Sequence, residues 1–435
     1  MSWTRRFFIA ASSAAAVSAA DTPVRAAPLR PRHFGPLYYD QSEWGFLKEV
    51  FDARAPFRFW GLDGRTPPDK VSTFERDFAA FMQTKYALAV TSGTAALQVA
   101  MAALEIGPGD EVIVPAWTWH SCFNAVVMAG ALPVLAEIDT SFNLDPADVE
   151  RRITPRTKVI MAVHLQGNPA RMDELLAIAR RHKLKVLEDV SQAVGATYKG
   201  KPLGSMGEIA IASLQVNKTI SAGEGGAVYT NDPYLYGRAV RFHDVGMIRS
   251  VHEKVLDNAA RGESFIGVNY RMNEFTGAVL LAQIRKLPKV VTDIRAVARR
   301  VYDGLAGLPG LELRGLPDPA GELGSGVYIG FPGKRQRDKF LDLMRAENVP
   351  AGAPSGSVIL PLQPHTMAKR APHPKWPTWN SPEGQAVQYG AEACPKTIAI
   401  LDRFGGVMLD PKYSESDTRD IVAAVRKVYA KAMNS

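Results

Sequence analysis

At 435 residues, with 46% hydrophobic and 22% charged side chains and its 36 Gly and 30 Pro spread along the length, the sequence excludes a collagen, a coiled coil and a low-complexity tail protein. It can bury several apolar cores without staples, and two cysteines, Cys122 and Cys394, are too few for a disulfide framework or a structural zinc site. The formal charge of +8 falls to +6 once Arg5, Arg6, Arg25 and Asp21 are set aside, and no basic run interleaved with aromatics marks a nucleic-acid surface; the balance fits mild attraction to anionic small molecules.

Residues 1–27 read as an address. Thr4-Arg5-Arg6-Phe7-Phe8-Ile9 leads into an Ala-rich, weakly apolar run, and Val17-Ser18-Ala19 and Val24-Arg25-Ala26 each offer small residues for a signal peptidase. The segment resembles a twin-arginine export signal, which implies a periplasmic protein exported already folded. A cytoplasmic protein with a basic extension is the alternative. No other apolar stretch is long enough to span a bilayer.

An N-terminal arm over 28–71 precedes the first regular pattern. Phe74, Phe78 and Phe81 then stand at helical spacing, followed by a strand at 87–90, a helix from Thr94 to Leu104 and a strand at 111–114. Apolar, partly β-branched runs at 132–135, 158–163, 185–187, 209–212 and 227–230 continue the series. Short apolar strands separated by helices predict a buried, mostly parallel sheet, on which ligands gather at the carboxyl ends of the strands. A helix over 274–287, with Phe275, Val279, Leu280 and Ile284 as its apolar face, leads out of a large domain spanning 72–295. Residues 296–435 form a smaller α+β domain with strands near 326–330 and 407–409, a surface loop over 372–382 and a last helix opened by the capping box Ser414-Glu415-Ser416-Asp417.

Three motifs carry chemistry. Val90-Thr91-Ser92-Gly93-Thr94 runs from strand into helix, which points the amides of Gly93 and Thr94 outward at a helix N-terminus, a geometry suited to phosphate as well as to a plain turn. Glu188-Asp189 puts an acid at the carboxyl end of a buried strand, where it serves either as a functional group or as a cap. Ser213-Leu214-Gln215-Val216-Asn217-Lys218 followed by Gly223-Glu224-Gly225-Gly226 sets a lysine between a strand and a tight glycine turn. No set of His, Cys and carboxylates has metal-ligand spacing, and His164 and His243 read as hydrogen-bonded structural residues.

In this order the motifs resemble the DegT/DnrJ/EryC1/StrS family of pyridoxal-phosphate (PLP) aminotransferases, over roughly residues 40–430. Gly107-Pro108-Gly109-Asp110-Glu111-Val112 and Asn269-Tyr270-Arg271-Met272-Asn273-Glu274 are further matched blocks. The resemblance implies the α/β PLP-dependent transferase type I fold, with a mostly parallel seven-stranded sheet sandwiched by helices and a smaller C-terminal α+β domain. It implies that Lys218 forms the Schiff base with the cofactor aldehyde and later moves the proton, and that Asp189 keeps the pyridine nitrogen protonated so the ring accepts electrons. It further implies phosphate contacts from Gly93, Thr94 and Ser213, a contact from Gln192 to the phenolic oxygen, and an aromatic ring from Trp119 over the pyridine. Asn269 would reach the phosphate of a neighbouring subunit, so a homodimer with shared sites is expected.

The implied reaction is ping-pong transfer of an amino group from glutamine or glutamate to a keto sugar or keto cyclitol. Ser213-Leu214-Gln215 leans toward members that use glutamine and aminate cyclitol ketones, while Val190-Ser191 and Val216-Asn217 depart from the common pattern and bear on substrate choice. The alternatives are a non-catalytic sensor or binding protein on the same fold, and a PLP-dependent sugar dehydratase. Those dehydratases carry histidine in place of the lysine, so Lys218 stands against that alternative.

Overall fold

The structure is a computed structural model that describes residues 22–61, 64, 66–256 and 262–434. The paired arginines of the export motif lie outside the described residues. Seven strands form the central sheet: β1 (Tyr86–Val90), β2 (Glu111–Pro115), β3 (Leu132–Ala136), β4 (Thr157–Val163), β5 (Lys185–Asp189), β6 (Ile209–Ser213) and β7 (Gly226–Thr230). Their order is β1-β7-β6-β5-β4-β2-β3. Only β7 is antiparallel to its neighbours, pairing β1 from Tyr86↔Thr230 to Val90↔Gly226 and β6 from Gly226↔Ser213. The other pairings are parallel.

The strands are apolar on both faces, and alternate residues feed two cores. Ala87, Ile113, Ile160, Val186, Ala210 and Tyr229 face one side, against Phe74, Phe78, Leu280, Ile284 and Leu287. Leu88, Val112, Met161, Leu187, Ile211 and Val228 face the other, against helices Gly93–Ala103, His120–Met128 and Pro233–His243. This two-sided burial is why the strands lack a polar alternation.

A second, three-stranded antiparallel sheet pairs Glu312–Leu313 with Gly326–Gly330 and that strand with Phe404–Met408. It packs with helices Lys334–Ala346 and Glu415–Met433, the latter opened by the expected Ser414/Asp417 capping box. The two sheets share the helix Glu274–Leu305, which runs unbroken through residue 295.

Two expectations need correction. Phe275 is 37% exposed while Leu280, Ile284 and Leu287 are buried; five residues separate Phe275 from Leu280, about 140° around the axis, which puts them on different faces. The segment 372–382 lies mostly at the surface, as expected, but it is not all loop: Pro377–Asn380 is a short helix and three side chains are docked. Trp376 donates its indole N–H to the Val127 carbonyl at 2.6 Å, Thr378 donates to the Ala131 carbonyl at 3.0 Å, and Trp379 packs on Phe123. Two large rings beside a helix end whose last carbonyls need donors bury together with those carbonyls.

Candidate active site

The carboxyl ends of the parallel strands meet in one cavity of about 690 Å³. After β1, Ser92 caps the helix Gly93–Ala103 by accepting from the Ala95 amide at 3.1 Å, leaving the first-turn amides without intrahelical acceptors. Gly93 is required there: a Cβ would lie 2.6 Å from the Cβ of Ser213 at the end of β6. Absence of that Cβ lets a helix N-terminus and a serine hydroxyl share one small concavity. Thr94 also lines it, its hydroxyl 2.7 Å from that of Ser121.

Strand alternation separates the two acids at the end of β5. Glu188 turns into the protein, where the Gly204, Met206 and Gly207 amides donate to it at 2.7, 2.9 and 2.7 Å. His164 accepts from the Ala170 amide at Nδ1, which leaves the proton on Nε2 to donate to Glu188 at 3.1 Å. Burial raises the Glu188 pKa, but His164 and the amides outweigh it and the net shift is downward. Asp189 turns into the cavity. Its Oδ1 accepts from the Ser191 amide at 2.9 Å and its Oδ2 from the Cys122 thiol at 3.2 Å. Burial, then Asp189, push the Cys122 thiol well above its ordinary value, so it stays protonated and acts as the donor.

Lys218 sits in the loop between β6 and β7, which the Leu214–Gly225 and Val216–Gly223 backbone bonds close. Gly223 and Gly225 adopt φ of +85° and +155°, which explains the glycines in this turn. The amine of Lys218 lines the same cavity and bonds no described side chain. Burial lowers its pKa, opposed by Asp189 and Cys122. A larger neutral fraction makes the amine a better nucleophile toward a carbonyl.

Trp117 and Trp119 divide the expected roles between them. Trp117 is buried against Phe142, whereas Trp119 is 53% exposed and lines the cavity. Gln192 lines it too, donating to Gly356 O and Ser357 Oγ, each at 3.2 Å, and accepting from the Gln166 amide at 3.0 Å. Asn269 is exposed, bridges to Asp244 and does not line the cavity of its own chain. His243 is buried, donates from Nδ1 to the Val240 carbonyl, and is held by burial at a pKa of about 3.

Sequence reasoning missed several lining residues. Ser121 and Cys122 follow Trp119 within one helical turn, so extending that block by three residues would have found them. Gln166 is a non-glycine residue at φ +54° in the wall. Its carbonyl accepts from Ser325 Oγ at 3.0 Å and its side-chain oxygen from Tyr328 at 2.6 Å, bonds that hold the unusual conformation. Arg32, His33, Phe34, Ser355 and Gly356 arrive from distant segments.

The residues present fit a pyridoxal phosphate. They supply an anion cradle that a Cβ would fill, a buried carboxylate in the cavity wall, an exposed indole and an amine with its charge disfavoured. Fold and site together define the class of fold type I PLP-dependent transferases. Within that class the chain belongs to the DegT/DnrJ/EryC1/StrS aminotransferase family, whose model matches residues 64–365. The family's aminotransferases depend on PLP. The chain is 45% identical over 215 residues to the GDP-perosamine synthase of Caulobacter vibrioides, covering 49% of this chain and 56% of that protein. It is 33% identical over 393 residues to the L-glutamine:2-deoxy-scyllo-inosose aminotransferase of Micromonospora echinospora, covering 85% and 89%. The solved structure of S. venezuelae DesV in complex with a ketimine intermediate superposes with a TM-score of 0.73 at 29% identity, covering 92% and 99%.

Proposed function

We propose that this chain is a PLP-dependent aminotransferase that moves an amino group from glutamine or glutamate to a keto sugar or keto cyclitol by a ping-pong mechanism. The observation that carries this reading is the convergence of the Lys218 amine, the Asp189 carboxylate and the Gly93 helix N-terminus on one cavity. When bound, the cofactor supplies an electron sink for the donor's α-carbon. The chain's own groups do the rest. Gly93, Thr94 and Ser213 hold the phosphate with backbone and hydroxyl donors at the positive end of a helix. Asp189, kept in place by Ser191 and Cys122, holds a proton on the pyridine nitrogen. Trp119 covers the ring. Lys218 would hold the cofactor through its aldehyde carbon, and its free amine would move the proton from the donor's α-carbon to that carbon.

The acceptor class rests on the relatives' printed substrates and on the polar wall formed by Gln166, Gln215, Ser325 and Ser355, which suits a polyhydroxylated ring. The homodimer is supported by exposed Val245, Met247 and Ile266, which lie beside Asn269 through the Asp244–Asn269 bridge and the Val245–Val268 backbone bond. In it, Asn269 would serve the partner's phosphate. Export by the twin-arginine route, with removal of the signal near Ala19, is part of the proposal. The support for a cut near Ala19 rather than after Ala26 is that Val24 and Arg25 are docked: the Val24 amide donates to Glu347 at 2.9 Å, and Arg25 pairs with Asp417 and Asp420 at 2.9 and 2.5 Å. Cleavage after Ala26 would discard those bonds.

The test is a two-stage turnover. PLP-loaded protein is treated with L-glutamine or L-glutamate, freed of donor, and given keto sugars and inososes in turn, with products followed by mass spectrometry. The expected result is an amino product from a cyclic ketone and loss of both stages in Lys218→Ala. Protein that takes up PLP but yields no oxo acid from either donor would overturn the assignment.

A further inference from the structure

We propose that Arg32, carried on an N-terminal strap and aimed by Asp410, receives the carboxylate of the amino donor; this rests on the transaminase reading above. The strap, residues 22–39, is fastened on two sides. Toward the small sheet's helices, besides the Val24 and Arg25 contacts, the Leu29 amide donates to Asn348 O at 3.1 Å and Asn348 Nδ2 to Arg25 O at 2.8 Å. Toward the lysine loop, the Gly35 amide donates to the Lys218 carbonyl at 3.3 Å and Tyr39 Oη to the Ser221 carbonyl at 2.9 Å. The strap lies close there: a Cβ on Gly35 would come within 2.8 Å of Ser221. Between the two fastenings, Pro31, Arg32, His33 and Phe34 line the cavity.

Arg32 is held as a recognition group is held. Asp410, its side chain fully buried, accepts from Arg32 Nε at 2.7 Å, from Nη2 at 3.3 Å and from the Arg32 amide at 3.1 Å. The Arg32 side chain nevertheless stays 53% exposed. Asp410 occupies one edge of the guanidinium, and no described residue bonds Nη1. A planar guanidinium engaged on one edge still offers the other to a second carboxylate, in a plane already fixed. Asp189 and Glu224 also line the cavity, so an anion entering it is favoured at the strap and disfavoured at those walls. Lys218 is committed to the cofactor, and the His33 ring has two nitrogens at most to offer against the guanidinium's five N–H donors. Seating the donor's carboxylate on Arg32 leaves its adjacent amine to approach Lys218, and orientation of this kind is worth large factors in rate.

The experiment uses full-length PLP-loaded protein and two amines, L-glutamine and 4-aminobutanamide, the latter being glutamine without its α-carboxylate. Loading is checked first by the visible absorption band of the lysine-bound cofactor, expected in the unmutated protein and in Arg32→Gln, Arg32→Lys and Asp410→Asn alike. The concentration of each amine giving half-maximal bleaching is then measured together with the rate at saturation. In Arg32→Gln the half-saturation for L-glutamine should rise by about tenfold or more, that for 4-aminobutanamide by less than about threefold. Arg32→Lys should recover part of the loss, and Asp410→Asn should fall between unmutated and Arg32→Gln protein. Equal weakening of both amines, or no change for L-glutamine, would overturn the proposal while the transaminase reading stands. Absence of the band from the unmutated protein would overturn both.

Discussion

The deep end of the cavity and its mouth are built in opposite ways. The deep end stands on the ends of buried strands: Asp189 closes β5, Ser213 closes β6, and Gly93 opens a helix straight after β1. The mouth is assembled from coil, with exposed Arg32 on the strap and exposed Ser355–Gly356 in a loop. Strand ends, together with the lysine loop closed by the Leu214–Gly225 and Val216–Gly223 backbone bonds, fix distances that covalent chemistry needs, whereas the outer coil segments can be exchanged to suit a different substrate. The contrast implies that damage to the deep end abolishes chemistry, while damage to the mouth shifts affinity or stability.

The largest effect is expected at Asp189. Replacing it with Asn keeps the side chain's size but removes the charge proposed to hold the ring nitrogen's proton, and should cost roughly a hundredfold to a thousandfold in the rate of bleaching by L-glutamine at saturation. Gly93→Ala comes next. The new Cβ presses on Ser213, and overpacking of this kind costs about 1–3 kcal/mol, to be read as weakened PLP binding with little change for a phosphate-free pyridoxal.

A smaller effect concerns pH. Burial lowers the Lys218 pKa while Asp189 raises it, so capture of PLP by cofactor-free protein should accelerate with pH through a midpoint below that of a free lysine. Asp189→Asn removes the charge that favours the protonated amine and should move the midpoint further down; an upward move would contradict the electrostatic account. The smallest effect belongs to the mouth's outer fastening. Arg25 is partly exposed, its side chain at 22%, so Arg25→Ala should lower unfolding stability by about 0.2–1 kcal/mol, measured by denaturant titration, with the cofactor band retained.

The same contrast explains what could be read in the sequence. The strands, the mostly parallel character of the sheet and the deep residues were legible because each is a local pattern: an apolar run ending in Asp189, a Ser-Gly-Thr turn into a helix, a lysine before a glycine turn. Of the two acids, the resemblance gave a role to Asp189 but none to Glu188, since only the pleat and the positions of Gly204 and Gly207 show that Glu188 turns inward. The mouth was not legible. Arg32 and Asp410 lie 378 residues apart, and nothing near either reports the other. The docking of Trp376 and Trp379 was missed for the same reason: a proline-rich local pattern says turn, and the partner that buries it lies about 250 residues upstream, at Val127.

The central claim is tested most directly by fixing the cofactor in place. Protein loaded with PLP is reduced with borohydride, digested, and its phosphopyridoxyl peptide identified by mass spectrometry. The expected result is a single modified lysine, Lys218, with no labelled peptide from Lys218→Ala. A label on another lysine, or none on the unmutated protein, would contradict the account.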